Sequence, residues 1–217
     1  MTTKERFGKM IEYFSRSKPV VETELKYLNP YELIVAVILS AQCTDKRVNI
    51  ISPRFFKHFP DAESLAKADV EEIFILIKSC SYPNNKAKNL SGMAKMLVEK
   101  FHSQIPSDTE FLQQLPGVGR KSAHVLASVL YNKPVLAVDT HVFRVSARLG
   151  LTKNAKNPLQ CEKQLVKYLL PSQIPIAHHW LILHGRYVCI ARKPMCSECG
   201  LTEICLFYMK NVVKKAR

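Results

Sequence analysis

The chain has 217 residues, of which 47% are hydrophobic, so it is long and apolar enough to bury one large core or two modest ones and is not disordered. Lys and Arg outnumber Asp and Glu by 32 to 18, and the resulting charge of +14 favours a polyanionic partner. The longest apolar run, residues 33–39, is too short to span a bilayer, and neither a signal peptide nor a basic amphipathic lipid face is evident. The composition therefore predicts an intracellular protein that does not bind membranes.

Hydrophobic periodicity and helix start signals predict a chain that is almost entirely helical. The strongest start signal is Asn29, an N-cap residue followed by a proline and then by Glu32, and it favours a helix for an apolar run that also fits a strand. Residues 135–138 have strand character but no evident partner. The predicted helices are residues 3–16, 30–39, 45–58, 62–67, 70–77, 85–101, a helical hairpin within 109–131, and residues 140–149, 158–170 and 174–189.

The hairpin contains the most informative stretch, Leu115–His124, which has the form of a helix end, a tight glycine turn and a second helix. Ser107 and Glu110 fit a capping box that starts the first helix. Pro116 and Gly117 end this helix, because proline cannot continue a helix and glycine tolerates a positive φ. The stretch therefore predicts two short helices that meet at a sharp turn.

The start of the second helix, near Val118, leaves backbone N–H groups without partners, an arrangement that suits an anion. Gly117 and Gly119 have no side chain, so a phosphate can approach the backbone closely. Lys121 has two interpretations: a phosphate-binding lysine, or a nucleophile. The positive end of the helix dipole and the neighbouring Arg120 both favour the neutral amine that a nucleophile needs. The residues alone leave both interpretations open.

Asp139 stands directly before a predicted helix that Gly150 closes, so its ordinary role is that of an N-cap. A carboxylate in this position can also stabilise a developing positive charge or accept a proton. The two roles are compatible, and the sequence does not choose between them.

Four of the seven cysteines are clustered near the C-terminus, and in an intracellular protein such a cluster indicates a metal centre rather than disulfides. Four thiolates suit either zinc or a [4Fe–4S] cluster, and spacing alone does not decide between them. Arg192 and Lys193 lie between the first two of these cysteines, where they either grip a phosphate or form a solvated surface. The four clustered cysteines are Cys189, Cys196, Cys199 and Cys205.

Three motifs follow one another between about Leu25 and Cys205: the hairpin, the segment Val138–His141 and the cysteine cluster. Their order resembles that of the endonuclease III family, whose members are bifunctional DNA glycosylases of the helix-hairpin-helix superfamily. The resemblance implies an all-α fold with two helical domains. One is a six-helix domain, residues 23–133, with its helix-hairpin-helix motif at about 109–131. The other is an iron–sulfur cluster domain, residues 1–22 plus 134–217.

The resemblance also implies a base-excision repair enzyme that removes oxidised pyrimidines and nicks the strand by β-elimination. In this family, Lys121 is the Schiff-base nucleophile, Asp139 is catalytic, and the four clustered cysteines hold a [4Fe–4S] cluster of structural role. The expected partner is double-stranded DNA that contains damaged pyrimidines or abasic sites. The protein is expected to be a monomer in the cytoplasm, associated with the nucleoid.

The resemblance assigns two further residues to DNA contacts. Gln42, within the segment Ser40–Asp45, corresponds to a residue that faces the orphaned base. Tyr82 takes the place of a leucine that wedges into the gap left by the flipped nucleotide, although Ser81 stands where relatives have glycine. Pro83 is expected to restrict Tyr82 to an extended conformation. The alternative is an exposed loop that does not wedge.

Two rival functions remain. One is a monofunctional adenine glycosylase of the same superfamily, against which Lys121 and the short C-terminus argue. The other is a non-catalytic DNA-binding module whose hairpin and cluster only hold phosphates. Cleavage of abasic DNA distinguishes an enzyme from such a module.

Overall fold

The structure, a computed structural model, describes residues 1–211, and in this range it contains α-helices and short 3₁₀ turns but no β-strand. The predicted all-α fold is confirmed. None of the helices in the described range is long and apolar enough to cross a membrane. In chain order the helices are α1 (Thr3–Ser17), α2 (Pro30–Ser40), α3 (Asp45–His58), α4 (Ala62–Lys67), α5 (Val70–Ile77), α6 (Pro83–Phe101), α7 (Thr109–Gln114), α8 (Arg120–Tyr131), α9 (Thr140–Leu149), α10 (Pro158–Val166), α11 (Ile174–Tyr187) and α12 (Leu206–Asn211).

The chain divides into two compact units. The central unit is Thr23–Asn132, and the terminal unit combines Met1–Glu22 with the chain from Lys133 onward. The two domains predicted at 23–133 and at 1–22 plus 134–217 stay a prediction. Residues 212–217 lie outside the described range. The central unit contains α2 to α8, seven helices where the resemblance implies six.

Helix α2 forms the centre of the core of the central unit. Its residues from Tyr31 to Leu39 are all buried. The Asn29 carbonyl oxygen Oδ1 accepts a hydrogen bond from the Glu32 N–H at 2.9 Å, and Pro30 occupies the first turn. The helix that this start signal predicted for the apolar run is therefore confirmed. Helices α3, α6 and α8 pack against α2.

The terminal unit packs α1 against the C-terminal part of the chain. The ring of Phe14 stacks on that of Trp180 with centroids 5.6 Å apart, and the indole Nε1–H of Trp180 donates to the Lys18 carbonyl at 2.8 Å. The buried Arg6 guanidinium donates to the Ile204 carbonyl. These contacts fix α1 beside the segment that contains the clustered cysteines.

Residues 135–138, which have strand character in the sequence, form neither a strand nor a helix. Residues 136–138 are buried, and the carbonyl of Ala137 accepts a hydrogen bond from His178 Nδ1 at 2.8 Å. A side chain thus satisfies this backbone group without a partner strand. The helix predicted at 158–170 ends earlier, at Val166, because a separate 3₁₀ turn, Pro171–Gln173, follows with its proline in the first position.

Candidate functional site

The predicted hairpin is present as α7, a glycine turn and α8, but its caps differ from those expected. Asp108, not Ser107, caps α7: its Oδ1 accepts hydrogen bonds from the N–H groups of Glu110 at 2.6 Å and Phe111 at 3.4 Å. Asp108 has the extended backbone of an N-cap and carries a carboxylate, which is the better acceptor. Helix α8 begins at Arg120 rather than near Val118.

The two glycines of the turn have different structural roles. Gly117 has a φ of +83°, and a Cβ atom there would lie 3.0 Å from Asn89 Cβ and 3.3 Å from Ile38 Cγ2. Gly119 has an ordinary φ, and no atom would lie within 4 Å of a Cβ added to it. Gly117 is therefore required by the turn and its packing, whereas Gly119 keeps open space at the start of α8.

We expect Gly117→Ala to lower the free energy of unfolding by about 2–4 kcal/mol, because it combines a left-handed backbone with a clash in a packed contact. Gly119→Ala is the matched control and should cost about 1 kcal/mol, since alanine is a poorer N-cap residue than glycine but meets no other atom there. Urea denaturation measures both changes. Equal losses in the two variants would contradict this division of roles.

Lys121 is the second residue of α8 and is exposed, so its amine is accessible to a ligand. Gly119 is the N-cap and has no side chain to bond the first N–H groups of the helix. An exposed amine therefore stands beside a helix N-terminus that no residue of the turn caps, in a position suited to a phosphate-bearing ligand.

Asp139 caps α9, where its Oδ1 accepts a hydrogen bond from the Val142 N–H at 2.8 Å. The residue is half-buried at the end of the buried segment 136–138. The cap engages Oδ1, so a second role for the carboxylate is chemically compatible with capping. Lys121 belongs to the central unit and Asp139 to the terminal unit.

The four clustered cysteines line one cavity of the terminal unit, which has a volume of about 320 Å³ including its open side. Burial raises the pKa values of the Cys199 and Cys205 thiols, and the neighbouring cysteines raise them further. Within residues 1–211, however, no group of three or more His, Cys, Asp or Glu side chains is arranged to hold a metal ion. The cavity thus gathers all four cysteines at one open site of the terminal unit.

Hydrogen-bonding groups surround these sulfurs. The Arg148 guanidinium donates to Cys189 Sγ at 3.4 Å, and the Tyr208 N–H donates to Cys205 Sγ at 3.4 Å. The buried His184 has its Nε2 3.6 Å from Cys199 Sγ, and burial, followed by the Lys18 charge, lowers its pKa to about 4. A neutral His184 ring therefore lies against the cavity.

Two arginines of α9 hold the start of the loop that carries Arg192 and Lys193. Arg148 donates to the carbonyls of Ile190 at 2.8 Å and Ala191 at 2.7 Å. Arg144 donates to the Cys189 carbonyl at 3.1 Å through its Nη2 and at 3.2 Å through its Nε, as well as to the Gly185 carbonyl at 2.7 Å. Both Arg192 and Lys193 are exposed. Sequence reasoning missed Arg144 and Arg148, although their spacing of four residues places them on one face of a helix.

Gln42 and Tyr82 lie in two short loops of the central unit, and both are exposed with φ near +54°. The prediction that Pro83 keeps Tyr82 extended is wrong, because Tyr82 is left-handed (φ 54°, ψ 51°) as the N-cap of α6. Its carbonyl accepts the Lys86 N–H at 3.2 Å, and this first turn of the helix fixes the conformation. Ser81, which stands where relatives have glycine, has no positive φ. The left-handed backbone of Tyr82 costs about 1–2 kcal/mol.

Lys86, a residue to which sequence reasoning gave no role, joins these two loops. Its side chain is buried, and its Nζ donates to the Leu39 carbonyl at 2.8 Å, near the end of α2 and three residues before Gln42. Burial lowers the pKa of this lysine. The structure thus brings the Gln42 and Tyr82 loops together through one buried ammonium group.

Comparison with known proteins shows the family of this chain. Residues 35–171 match the model of the HhH-GPD superfamily of base excision DNA repair proteins. The chain is 42% identical to an endonuclease III of Rickettsia felis over 96% of this chain and 97% of that one, and 44% identical to that of Rickettsia conorii over 93% and 95%. Its structure resembles a trapped endonuclease III–DNA covalent intermediate, an estranged-adenine complex, with a TM-score of 0.92, 38% identity and complete coverage of both chains.

Proposed function

This chain belongs to the HhH-GPD superfamily of base excision DNA repair proteins, and from that premise we propose that it excises oxidised pyrimidines from duplex DNA through Lys121 and then cuts the strand. It is a DNA glycosylase with AP lyase activity, homologous to endonuclease III over nearly its whole length. The observation that carries the assignment of the nucleophile is the exposed amine of Lys121 at the N-terminus of α8. Because its substrate is genomic DNA, the protein acts inside the cell.

The chemistry requires the damaged nucleotide to leave the stack, since the sugar C1′ cannot be reached within the duplex. The neutral Lys121 amine attacks C1′, so that an N–C1′ bond forms while the bond to the base breaks. The sugar ring then opens: the C1′–O4′ bond breaks, O4′ takes up a proton and an imine forms, which acidifies the C2′ proton. Loss of this proton breaks the C3′–O bond and releases the 3′ phosphate as the leaving group. Water then hydrolyses the imine and restores the amine.

In this proposal Asp139 has two functions. Its Oδ1 caps α9 through the Val142 N–H. Its negative charge stabilises the positive charge that develops on the sugar as the base leaves, or accepts the proton that Lys121 loses. The cap holds the carboxylate in one orientation, and such preorganisation gives electrostatic stabilisation its strength.

Asp139→Asn should separate these two functions. Asparagine is as good an N-cap as aspartate, so the free energy of unfolding should change by less than about 1 kcal/mol. Base release should slow by at least about a hundredfold, because the charge is lost from the transition state. Single-turnover excision and urea denaturation measure the two effects. Unchanged excision would reduce Asp139 to a structural residue.

We assign a [4Fe–4S] cluster to the cavity of the terminal unit. Four cysteine thiolates suit either zinc or this cluster, and the similarity of the chain to endonuclease III supports the cluster. When bound, the cluster neutralises and cross-links four thiolates whose burial in the absence of a cation is unfavourable. The role is structural: ligation fixes Cys189 and Cys196, and with them the loop that exposes Arg192 and Lys193 to a DNA phosphate.

The central unit contributes the remaining proposed DNA contacts. Gln42 faces the orphaned base, and Tyr82 occupies the gap left by the flipped nucleotide. Gly119 leaves the first N–H groups of α8 open to a phosphate, and Gly117 shapes the turn that presents them. The exposure of Tyr82, of which 62% is accessible, supports the wedge, because a large apolar side chain is kept in water at the N-terminus of a helix.

Tyr82→Ala should weaken turnover of damaged duplex by about tenfold or more, since base–aromatic stacking contributes about 1–3 kcal/mol per base. Cleavage of a single-stranded abasic site should be nearly unchanged, because nothing there has to be unstacked. Tyr82→Phe retains the ring and serves as the matched control. If the rates of cleavage of both substrates fall equally, or neither rate falls, the wedge lies elsewhere.

A panel of duplexes, each with one lesion, tests the function. We expect excision of an oxidised pyrimidine followed by strand cleavage in the same reaction. A protein that released adenine opposite a mismatched base and left the strand whole would be a monofunctional adenine glycosylase. A protein that bound abasic DNA without cutting it would be a binding module.

A further inference from the structure

A buried histidine of α11 holds the backbone two residues before Asp139. Only 3% of His178 is exposed, and its Nδ1 lies 2.8 Å from the Ala137 carbonyl oxygen. A carbonyl oxygen only accepts, so Nδ1 carries the proton and donates. This hydrogen bond joins positions that are 41 residues apart in the sequence. Through it, α11 fixes the segment that leads into the proposed catalytic carboxylate.

The segment before Asp139 depends on side-chain contacts for its position. Residues 136–138 belong to neither a helix nor a strand, so no regular pattern of backbone hydrogen bonds fixes them. Leu136 and Val138 pack into the hydrophobic core of the terminal unit. Ala137, between them, is buried and accepts the hydrogen bond from His178. Two apolar side chains and one hydrogen bond therefore hold three successive residues directly before Asp139.

Asp139 is also fixed from the other side, by α9. Its Oδ1 accepts a hydrogen bond from the Val142 N–H at 2.8 Å, which sets the orientation of the carboxylate. Helix α9 packs against α11, and the Arg144 guanidinium donates to the Gly185 carbonyl of α11 at 2.7 Å. Helix α11 thus holds the chain before Asp139 through His178 and the chain after it through α9.

We propose that His178 is a positioning residue for base excision: its bond to Ala137 sets where the Asp139 carboxylate stands relative to the sugar. The inference rests on the proposed function of Asp139. A preorganised charge stabilises a transition state only at the place where the opposite charge develops. A displacement of about 1 Å is enough to slow a reaction by about a hundredfold. A histidine that only satisfied a buried carbonyl would instead contribute to stability and leave the excision rate unchanged.

His178→Leu and His178→Asn form a matched pair. The two new side chains have nearly the same size and shape, so both variants lose the same imidazole volume. Asparagine carries an amide N–H near the position of Nδ1, whereas leucine has no donor. We expect the single-turnover rate constant for excision to fall at least about tenfold in His178→Leu and to stay within about threefold of the wild-type value in His178→Asn. Equal rate constants in the two variants, fast or slow, would overturn the proposal.

His179→Leu is the control for the loss of a histidine. His179 is half-buried beside His178, with the two ring centroids 5.1 Å apart. Its replacement leaves the bond to Ala137 in place, so excision should proceed at the wild-type rate. A loss as large as that in His178→Leu would count against a role of this bond. All variants are assayed as holoproteins in saturating excess over DNA, so that the rate constant does not depend on the folded fraction.

A double variant tests whether His178 acts through Asp139. Adding His178→Leu to Asp139→Asn should slow excision by less than about threefold, because the charge that His178 positions is already absent. A further loss of about tenfold would show that the two residues act independently, and it would overturn the proposal. If His178→Leu does not fold, His178→Gln replaces it in both experiments, since the glutamine amide lies near the Nε2 position of the ring and does not take the place of Nδ1.

The proposed function and the role of His178 fail in different ways. A wild-type protein that excises no oxidised pyrimidine, or an Asp139→Asn protein that excises at the wild-type rate, would refute the proposed function. If the wild-type protein excises and Asp139→Asn is slow, normal excision by His178→Leu would refute the role of His178 alone. We expect slow excision in His178→Leu that His178→Asn restores, with no further loss in the double variant.

Discussion

Lys121→Ala should abolish borohydride trapping on abasic DNA, the largest effect we expect of any single substitution in this chain. Borohydride reduces an imine to a stable amine, so it captures the enzyme only when an amine of the protein is bonded to the sugar C1′. Lys121 is exposed at the second position of α8, and the resemblance to a trapped endonuclease III–DNA covalent intermediate supports its assignment. The affinity of the variant for DNA should stay within about tenfold of the wild-type value, because one phosphate contact is worth about 1.4 kcal/mol, which corresponds to a tenfold change in Kd.

Lys121→Arg is the matched control for charge. The guanidinium keeps a cation at the N-terminus of α8 but cannot lose its proton to form an imine. We therefore expect near-normal DNA binding and no trapped complex. Strong trapping by either variant would mean that another amine is the nucleophile. A loss of binding as large as the loss of trapping would make Lys121 a phosphate-binding residue, its simpler interpretation.

Cys199→Ala should destabilise the terminal unit by more than about 3 kcal/mol and release the cluster, the largest structural effect we expect. The wild-type protein should be yellow-brown, with about four irons and four sulfides per chain. Loss of one ligand leaves three thiols, and within residues 1–211 no further cysteine lines the cavity to replace it. Iron analysis and thermal denaturation measure the change.

Cys161→Ala provides the control for burial. Cys161 is fully buried in the same unit but does not line the cavity. We expect it to cost about 1–2 kcal/mol and to leave the iron content unchanged. A colourless, fully active wild-type protein that contains one zinc would contradict the cluster assignment. So would a Cys199→Ala protein that retains all its iron.

Local signals explain why so much of the helix pattern could be predicted. The Asn29 cap and its following proline defined the start of α2, and Asp139 and Gly150 defined both ends of α9. These signals act within one turn of the chain, so the sequence contains all the information they need. The resemblance to the endonuclease III family then supplied the function, which the family comparison confirms.

The features that sequence reasoning missed depend on contacts between distant parts of the chain. Arg144 and Arg148 hold carbonyls more than forty residues away, and Lys86 holds one that lies forty-seven residues away. Position 117 requires glycine and position 119 does not, and this difference is visible only once Asn89 and Ile38 are packed beside the turn. None of these partners is visible in a local pattern, because tertiary packing selects them.

The predicted conformation of Tyr82 was wrong for a related reason. The residue before a proline prefers an extended backbone, and this preference led to the wrong conformation. In the structure, Tyr82 is also the N-cap of a nineteen-residue helix, and the stability of that helix outweighs the local cost of a left-handed tyrosine. Strain at an exposed aromatic residue is a reason to expect function there, which the duplex and single-strand assays of Tyr82→Ala address.

The most direct test of the central claim is to locate the covalent bond. The wild-type protein is trapped on an abasic duplex with borohydride, the DNA is digested, and the modified peptide is sequenced by mass spectrometry. We predict that the reduced sugar adduct lies on Lys121 and on no other lysine or the N-terminal amine. An adduct on a different amine, with Lys121 recovered unmodified, would contradict the account.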